Sequence, residues 1–465
     1  MRTPAPLTLS VLALAASLAA GCAVGPKYEV PSTPAPAAFK QAEGWVPAVP
    51  ADTLERGPWW TLFNDPVLTQ LSSQVEVSNQ NVAAAIANYA QARSLVQEQR
   101  ASLFPSVSLG VDAGRSGGRE GGSEGNYRLS IGGSWEPDLF GRLRAGVTSA
   151  QAGAAASAAD LAAARLAAQG ELAANYFFLR EADAQRALLA TTIEGYERVA
   201  QITKNRFDAG IAAKSDVLQA QTQLANARVD DLGLARQRVQ FESAIAILLG
   251  KAPADFSLAP APWQANVPDI PVVVPSLLLQ RRPDIAAAER RVAAANAQIG
   301  IARSAYYPNI GLSGSVGTGG SKLSDLFSVS NLVWSLGTSL AQTIFNAGAT
   351  TARVAGAEAQ QQAAAARYRQ TVLEAFGDVE NQLAATRVLA QQLELRRQAS
   401  QAADQVETQM LNRYKAGQVS YTEVVQAQAT ALSARRALVQ IQADRQATAI
   451  ALIQSLGGGW EATLK

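Results

Sequence analysis

The spacing of apolar positions along this chain switches between a helical period and a strand period, and it does so in the same order twice. Asp65-Pro66 is an N-cap followed by proline at the first helical position, and the Ala- and Gln-rich run NQNVAAAIANYAQARSLVQEQRASLFP predicts one helix to about Leu103, ended by Pro105. Beyond it Val107, Leu109 and Val111 alternate with Ser106, Ser108, Gly110 and Asp112, and Tyr127, Leu129, Ile131 and Trp135 alternate with Arg128, Ser130, Gly132 and Ser134. A period of two predicts a β-hairpin over residues 106–137, joined by the Gly-rich, charged run GRSGGREGGSEGN. Helical spacing then returns from Gly141 to about Asp208 and from Asp216 to about Leu249.

The second half repeats this order. RRPDIAAAERRVAAANAQIGIARSAYYP matches the first Ala-rich helix and Pro308 matches Pro105. Ile310, Leu312 and Val316 alternate with Asn309, Gly311, Ser313 and Ser315, and Leu332, Trp334, Leu336 and Leu340 share one face of a return strand. The hairpin spans residues 309–342, with Gly317, Gly319 and Gly320 assigned to its loop. Helices follow from Asn346 to about Lys415 and from Glu423 to about Leu456. The expected organisation is a signal segment at residues 1–21, a tether at 22–64, a first repeat at 65–250, a Pro-rich linker at 251–275, a second repeat at 276–456 and a tail at 457–465.

Two copies of one stretch mark the repeat: RFDAGIAAKSDVLQAQ (residues 206–221) and RYKAGQVSYTEVVQAQ (residues 413–428), 207 residues apart. Each reads as a helix end, a turn at Gly210 or Gly417, and a new helix at Ser215-Asp216 or Thr422-Glu423, with the glycine in the left-handed region and the hydroxyl-acid pair as N-cap and first turn. These are two helical hairpin tips. The helices leading to them, nearly 70 residues each, are about 100 Å long at 1.5 Å per residue. Val372, Phe376, Val379, Leu383, Thr386, Ala390 and Leu393 keep the four-three spacing of a coiled-coil seam.

The strands alternate apolar and polar over about ten residues, and Phe104, Trp135 and Phe140 cluster at the base of the first hairpin, as in an outer-membrane barrel with its aromatic girdle. Four strands do not close a barrel, and an open sheet edge in lipid leaves backbone groups unpaired. Two chains would give eight strands, enough only for side chains inside, whereas three would give twelve and a water-filled lumen, which favours a trimer.

Composition narrows the function further. Histidine is absent and cysteine occurs once, so triads, His or Cys metal sites and disulfide frameworks have no residues to build them. The expectation is no enzyme, no metal and no cofactor. At the N-terminus Arg2, an apolar run from Leu7 to Ala20 and LAAGC form a signal peptide too short to span a bilayer. Loss of residues 1–21 leaves 39 basic against 38 acidic residues, a balance with no footprint for nucleic acid.

LAAGC at Cys22, PWWTLFNDPVL, SLFPSVSL, SWEPDLFGRLR (residues 134–144), LLLQRRPDI (277–285), IFNAG at Ile344 and both tip motifs resemble the TolC-type outer-membrane efflux channels, and among them the OprM/NodT-like lipoproteins. The resemblance covers nearly the whole mature chain. It implies that Cys22 is lipidated and that the protein sits in the outer membrane. It also implies an internally duplicated α+β membrane protein, a homotrimer whose twelve-stranded β-barrel continues into a periplasmic α-barrel of coiled-coil helices. A periplasmic adaptor protein and an inner-membrane pump of the resistance-nodulation-division class are the implied partners. By the same resemblance Tyr414 and Glu423 match the aromatic and the first acid of the periplasmic gate, while Gln426 and Val419 replace a second acid and an arginine of some members. In a threefold assembly Asp216 and Glu423 would form rings of like charge, although both acids also suit a helix N-terminus. Gly210, Lys214, Gly417 and Gln418 are the candidate adaptor-docking positions. The expected function is the passive exit duct of a tripartite efflux system. Protein secretion of type I, metal-ion efflux through the same architecture, and a non-conducting envelope lipoprotein are the alternatives.

Overall fold

The computed structural model describes residues 24–33, 58–117, 124–268 and 282–458, which form two compact units. The signal segment, Cys22 and the end of the C-terminal tail lie outside the described residues, as does much of the tether and part of the linker.

The first unit holds residues of the ranges 1–33, 87–158 and 287–371, and its centre is a four-stranded antiparallel sheet. β1 (Ser106–Ser116), β2 (Glu124–Trp135), β3 (Asn309–Gly320) and β4 (Leu332–Ala341) lie in sequence order, so the hairpins of the two repeats join through β2 and β3. The register explains the alternation. Leu109 faces Ile131, Ile131 faces Val316 and Val316 faces Trp334, so one apolar face runs across all four strands. That face is exposed, with Leu109 at 67%, Trp334 at 74% and Leu336 at 82% relative accessibility. The opposite face carries glycine and serine: Ser106 and Ser134 hydroxyls meet at 2.8 Å, and those of Ser315 and Ser335 at 2.9 Å. Gly317, Gly319 and Gly320 belong to β3, not to the loop: at Gly317 and Gly319 the missing side chain lets the β2 backbone approach, and at Gly320 it leaves room for the Asp325 side chain of the connection. The connection is instead Ser321 to Asn331, with 3-10 turns at Leu323–Phe327 and Val329–Asn331.

Residues 24–33, part of the expected tether, run along α5 (Pro283–Ser304). Asn296 Nδ2 donates to the Pro26 carbonyl at 3.0 Å, and the Tyr28 hydroxyl donates to the buried Glu289 carboxylate. Gly25 and Gly300 pass so closely that a Cβ on Gly25 would lie 3.1 Å from the Gly300 Cα.

The second unit takes residues of the ranges 34–86, 159–286 and 372–465. Trp59, Trp60 and Phe63 form a buried 3-10 turn, and Phe63 packs on Phe177 at 5.0 Å between ring centres. Asp65 caps α1 (Pro66–Ser78) by accepting from the Val67 and Leu68 amides, both at 2.9 Å. The single helix expected to reach Leu103 is broken. Asn79 has extended backbone, ends α1, and starts α2 (Gln80–Ala101) by accepting from the Asn81 and Val82 amides. Its amide also donates to the Leu248 carbonyl at 2.8 Å, fixing the break to the end of another helix.

The long hairpins are α3 (Arg142–Asp208) with α4 (Lys214–Leu248), and α6 (Ala349–Lys415) with α7 (Tyr421–Ser455). Their lengths, 67 and 35 residues, are the same in both repeats, and their bounds differ throughout by the 207-residue offset. The bridging ion pairs repeat too: Arg228 meets Glu197 at 2.7 Å, and Arg435 meets Asp404 at 2.7 Å. Along α6 the expected seam is buried from Val372 to Leu383, half-buried at Thr386 and Leu393, and exposed at Ala390. The four-three pattern therefore finds a partner inside the chain only over its first part. Among the described residues no helix is long and apolar enough to cross a membrane.

Candidate functional site

The two tips are built by the same device. Gly210 and Gly417 have φ of 75° and 74°, and the amides of Gly210 and Ile211 return to the Phe207 and Arg206 carbonyls as those of Gly417 and Gln418 return to Tyr414 and Arg413. This double closure ends a helix with the glycine left-handed, where an added Cβ would cost strain. Nothing lies within 4 Å of the Cβ either glycine would carry, so both turns face open space. Lys214 and Gln418 are also exposed.

The helix starts correct the expected caps. α4 is preceded by Ala213, which offers no side-chain cap, so Ser215 and Asp216 lie in the first turn. α7 is capped by Ser420, and Glu423 completes a capping box by accepting from the Ser420 amide at 3.3 Å and hydroxyl at 3.2 Å. Thr422 instead reaches Gln219 of the other tip at 3.4 Å. Ser215 and Thr422 therefore lie two residues past the true cap positions, whereas Asp216 and Glu423 do sit in the first turn, where an acid suits the helix dipole.

The structure brings the tips together around Tyr414. Its side chain is 4% exposed and packs with Val199, Ala220, Tyr421 and Val424, the Tyr421 ring centre being 5.3 Å away. Tyr414 is thus a core residue of the tip, while Glu423 is exposed and Asp216 half-buried. Burial first, then Tyr414, Tyr196 and Asp216, pushes the Tyr421 hydroxyl well above the ordinary phenol range. Arg206, read from sequence only as part of a helix end, is the clamp: its guanidinium lies 4.8 Å from the Tyr414 ring centre and donates to the Tyr414 carbonyl at 3.2 Å and the Lys415 carbonyl at 3.5 Å. A cation on the last carbonyls of a helix is favoured by its dipole. The available signal was the recurrence of arginine at the same place in both tips.

A second polar cluster, with no signature in the sequence spacing, lies elsewhere on α3. Glu181 is 7% exposed, accepts from Gln185 at 2.7 Å, and is pushed up to about 7 by burial, with Asp444 adding to the rise and the Gln185 bond opposing it. Beside it Arg180 and Arg238 share Asp183 and donate to the Ala259 and Leu258 carbonyls, tying the irregular linker to α3 and α4. Among the described residues no group of acids, cysteine or histidine could hold a metal ion.

The family model described as "Outer membrane efflux protein" matches residues 71–251 and 274–458, the two repeats. The probable efflux pump outer membrane protein TtgC of Pseudomonas putida is 32% identical, over 98% of this chain and 96% of that protein. Outer membrane protein OprJ of Pseudomonas aeruginosa is 30% identical over 99% and 97%. The solved outer-membrane channel OprN superposes with a TM-score of 0.84 at 30% identity, covering 94% of this chain and all of that one.

Proposed function

This chain belongs to the outer membrane efflux protein family, and from that membership we propose that three copies form the passive exit duct of a tripartite efflux system. The observation that carries the reading is the sheet. β1 and β4 are its outer strands, one face is exposed and apolar, and the other is serine and glycine. A lipid-facing side, a wet side and two open edges are what a third of a closed barrel requires. Pairing β4 of one copy with β1 of the next through three copies gives twelve strands around an aqueous lumen.

In this reading the tips lie at the periplasmic end. Asp216 and Glu423, three of each around the axis, form the negatively charged constriction, and Tyr414 acts from the core by holding paired tips in register. Gly210, Lys214, Gly417 and Gln418 receive the periplasmic adaptor, behind which stands an inner-membrane pump of the resistance-nodulation-division class. Lipid on Cys22 holds the N-terminus at the outer membrane, and Cys22→Ser is expected to abolish palmitate labelling. The duct supplies a path and no energy.

Purified protein should run as a trimer in detergent and conduct ions across a planar bilayer; a stable assembly of another size, or a trimer without conductance, overturns the proposal. Replacing Asp216 and Glu423 together by alanine is expected to raise resting conductance and reduce cation preference. An assembled trimer with unchanged conductance would remove both acids from the gate. Deletion of the gene, followed by drug, metal and secretion assays, separates drug export from metal or protein export.

A further inference from the structure

The chain displays one tip-to-tip joint and leaves both halves of a second one uncovered. In the joint seen, the end of α3 docks on the end of α6: Val199 and Tyr414 are buried together at 5% and 4% exposure, and Arg206 clamps the Tyr414 and Lys415 carbonyls. Moving each residue by the 207-residue offset gives the partners of the reverse joint. Val199 becomes Val406, Arg206 becomes Arg413, and on the receiving side Tyr414 becomes Phe207 and Lys415 becomes Asp208. Val406 is 46% exposed and Phe207 40% exposed, although their counterparts are core. Arg413 is exposed in the last turn of α6 and has no side-chain partner among the described residues.

An interface whose two sides differ, present once within a chain and vacant once at each end of it, closes a ring when copies are placed head to tail. We propose that Arg413 and Val406 of one copy dock on Phe207 and Asp208 of a second copy of this chain, repeating between chains the joint that Arg206 and Val199 make within one. The contact rests on the trimer reading above and gives it a residue-level partner. The two joints are not equal in kind. Arg206 reaches carbonyls beside Lys415, a like charge, whereas Arg413 reaches the corresponding carbonyls beside Asp208, a carboxylate that among the described residues pairs with Lys204 alone, at 2.7 Å on the surface. The receiving side also lacks the tyrosine that closes the core: Lys214 stands where the visible joint has Tyr421. The joint between chains is therefore smaller, more ionic and more sensitive to salt than the joint within a chain.

The test pairs R413C with D208C in the full-length protein and applies a short bis-maleimide in detergent. Covalent dimers and trimers from the double variant, absent from each single variant, are the expected result. A double variant that runs as a trimer yet yields only unlinked chains overturns the contact while leaving the trimer intact. Wild-type protein that is no trimer at all overturns the trimer reading, and the contact falls with it. Function gives a second reading: R413E should raise resting conductance several-fold at low salt, and adding D208R should return it to the wild-type level. A double variant as leaky as R413E alone also overturns the contact.

Discussion

At the scale of single residues, the acids divide according to what surrounds them. Glu423 is exposed and serves the Ser420 cap, so its structural and electrostatic roles can be pulled apart. Glutamine can close a capping box as glutamate does. Glu423→Gln is therefore expected to keep the thermal midpoint within about 1 °C, the effect of a few tenths of a kcal/mol, while lowering cation preference in bilayers; Glu423→Ala should lose both. Glu181 behaves in the opposite sense. Its carboxyl titrates near 7 in the fold, above its ordinary 4.5, because burial disfavours the charge. The folded chain then binds more protons than the unfolded chain between those values, so this group's contribution falls as pH rises from 4.5 to 7. Glu181→Gln should raise the thermal midpoint at pH 8, by up to about 3 kcal/mol in stability from the size of the shift, and leave it nearly unchanged at pH 4. A gain independent of pH would show that the carboxyl titrates normally.

Elements were legible wherever local spacing decided them. Alternation located all four strands, since each side of the sheet meets a uniform surface, and the long helices came within a few residues of their ends because glycine turns bound them. What remained hidden depended on partners far along the chain. The break at Asn79 has neither glycine nor proline to announce it; it exists because the Asn79 side chain caps one helix and holds the Leu248 carbonyl of another. Asn79→Ala should cost about 2 kcal/mol, the sum of a cap and a buried hydrogen bond, seen as a lowered thermal midpoint. Tyr414 likewise stands out in sequence only through the family resemblance, whereas its burial comes from Val199 and Ala220 of the other tip together with Tyr421 and Val424 of its own. The seam along α6 matched a coiled coil in sequence, yet spacing cannot say which stretch is covered by the same chain.

For the whole molecule, the two faces of the sheet should respond oppositely to charge. Trp334 stands on the exposed apolar face and Ser335 on the serine face. Trp334→Arg should reduce recovery from the outer membrane, since a cation facing lipid costs roughly 2–4 kcal/mol at mid-bilayer. Ser335→Arg should assemble normally and alter conductance. Equal loss from both variants would contradict the assignment of the faces. The matched helix lengths constrain change on a longer timescale. Seven residues inserted into α3 alone would leave its turn overhanging, with Arg206 about 10 Å from its receptor carbonyls at 1.5 Å per residue. Only compensating insertions in α3, α4, α6 and α7 would keep the tips level, so length in this protein should drift in concerted steps or hardly at all, while loop residues between strands remain free to vary.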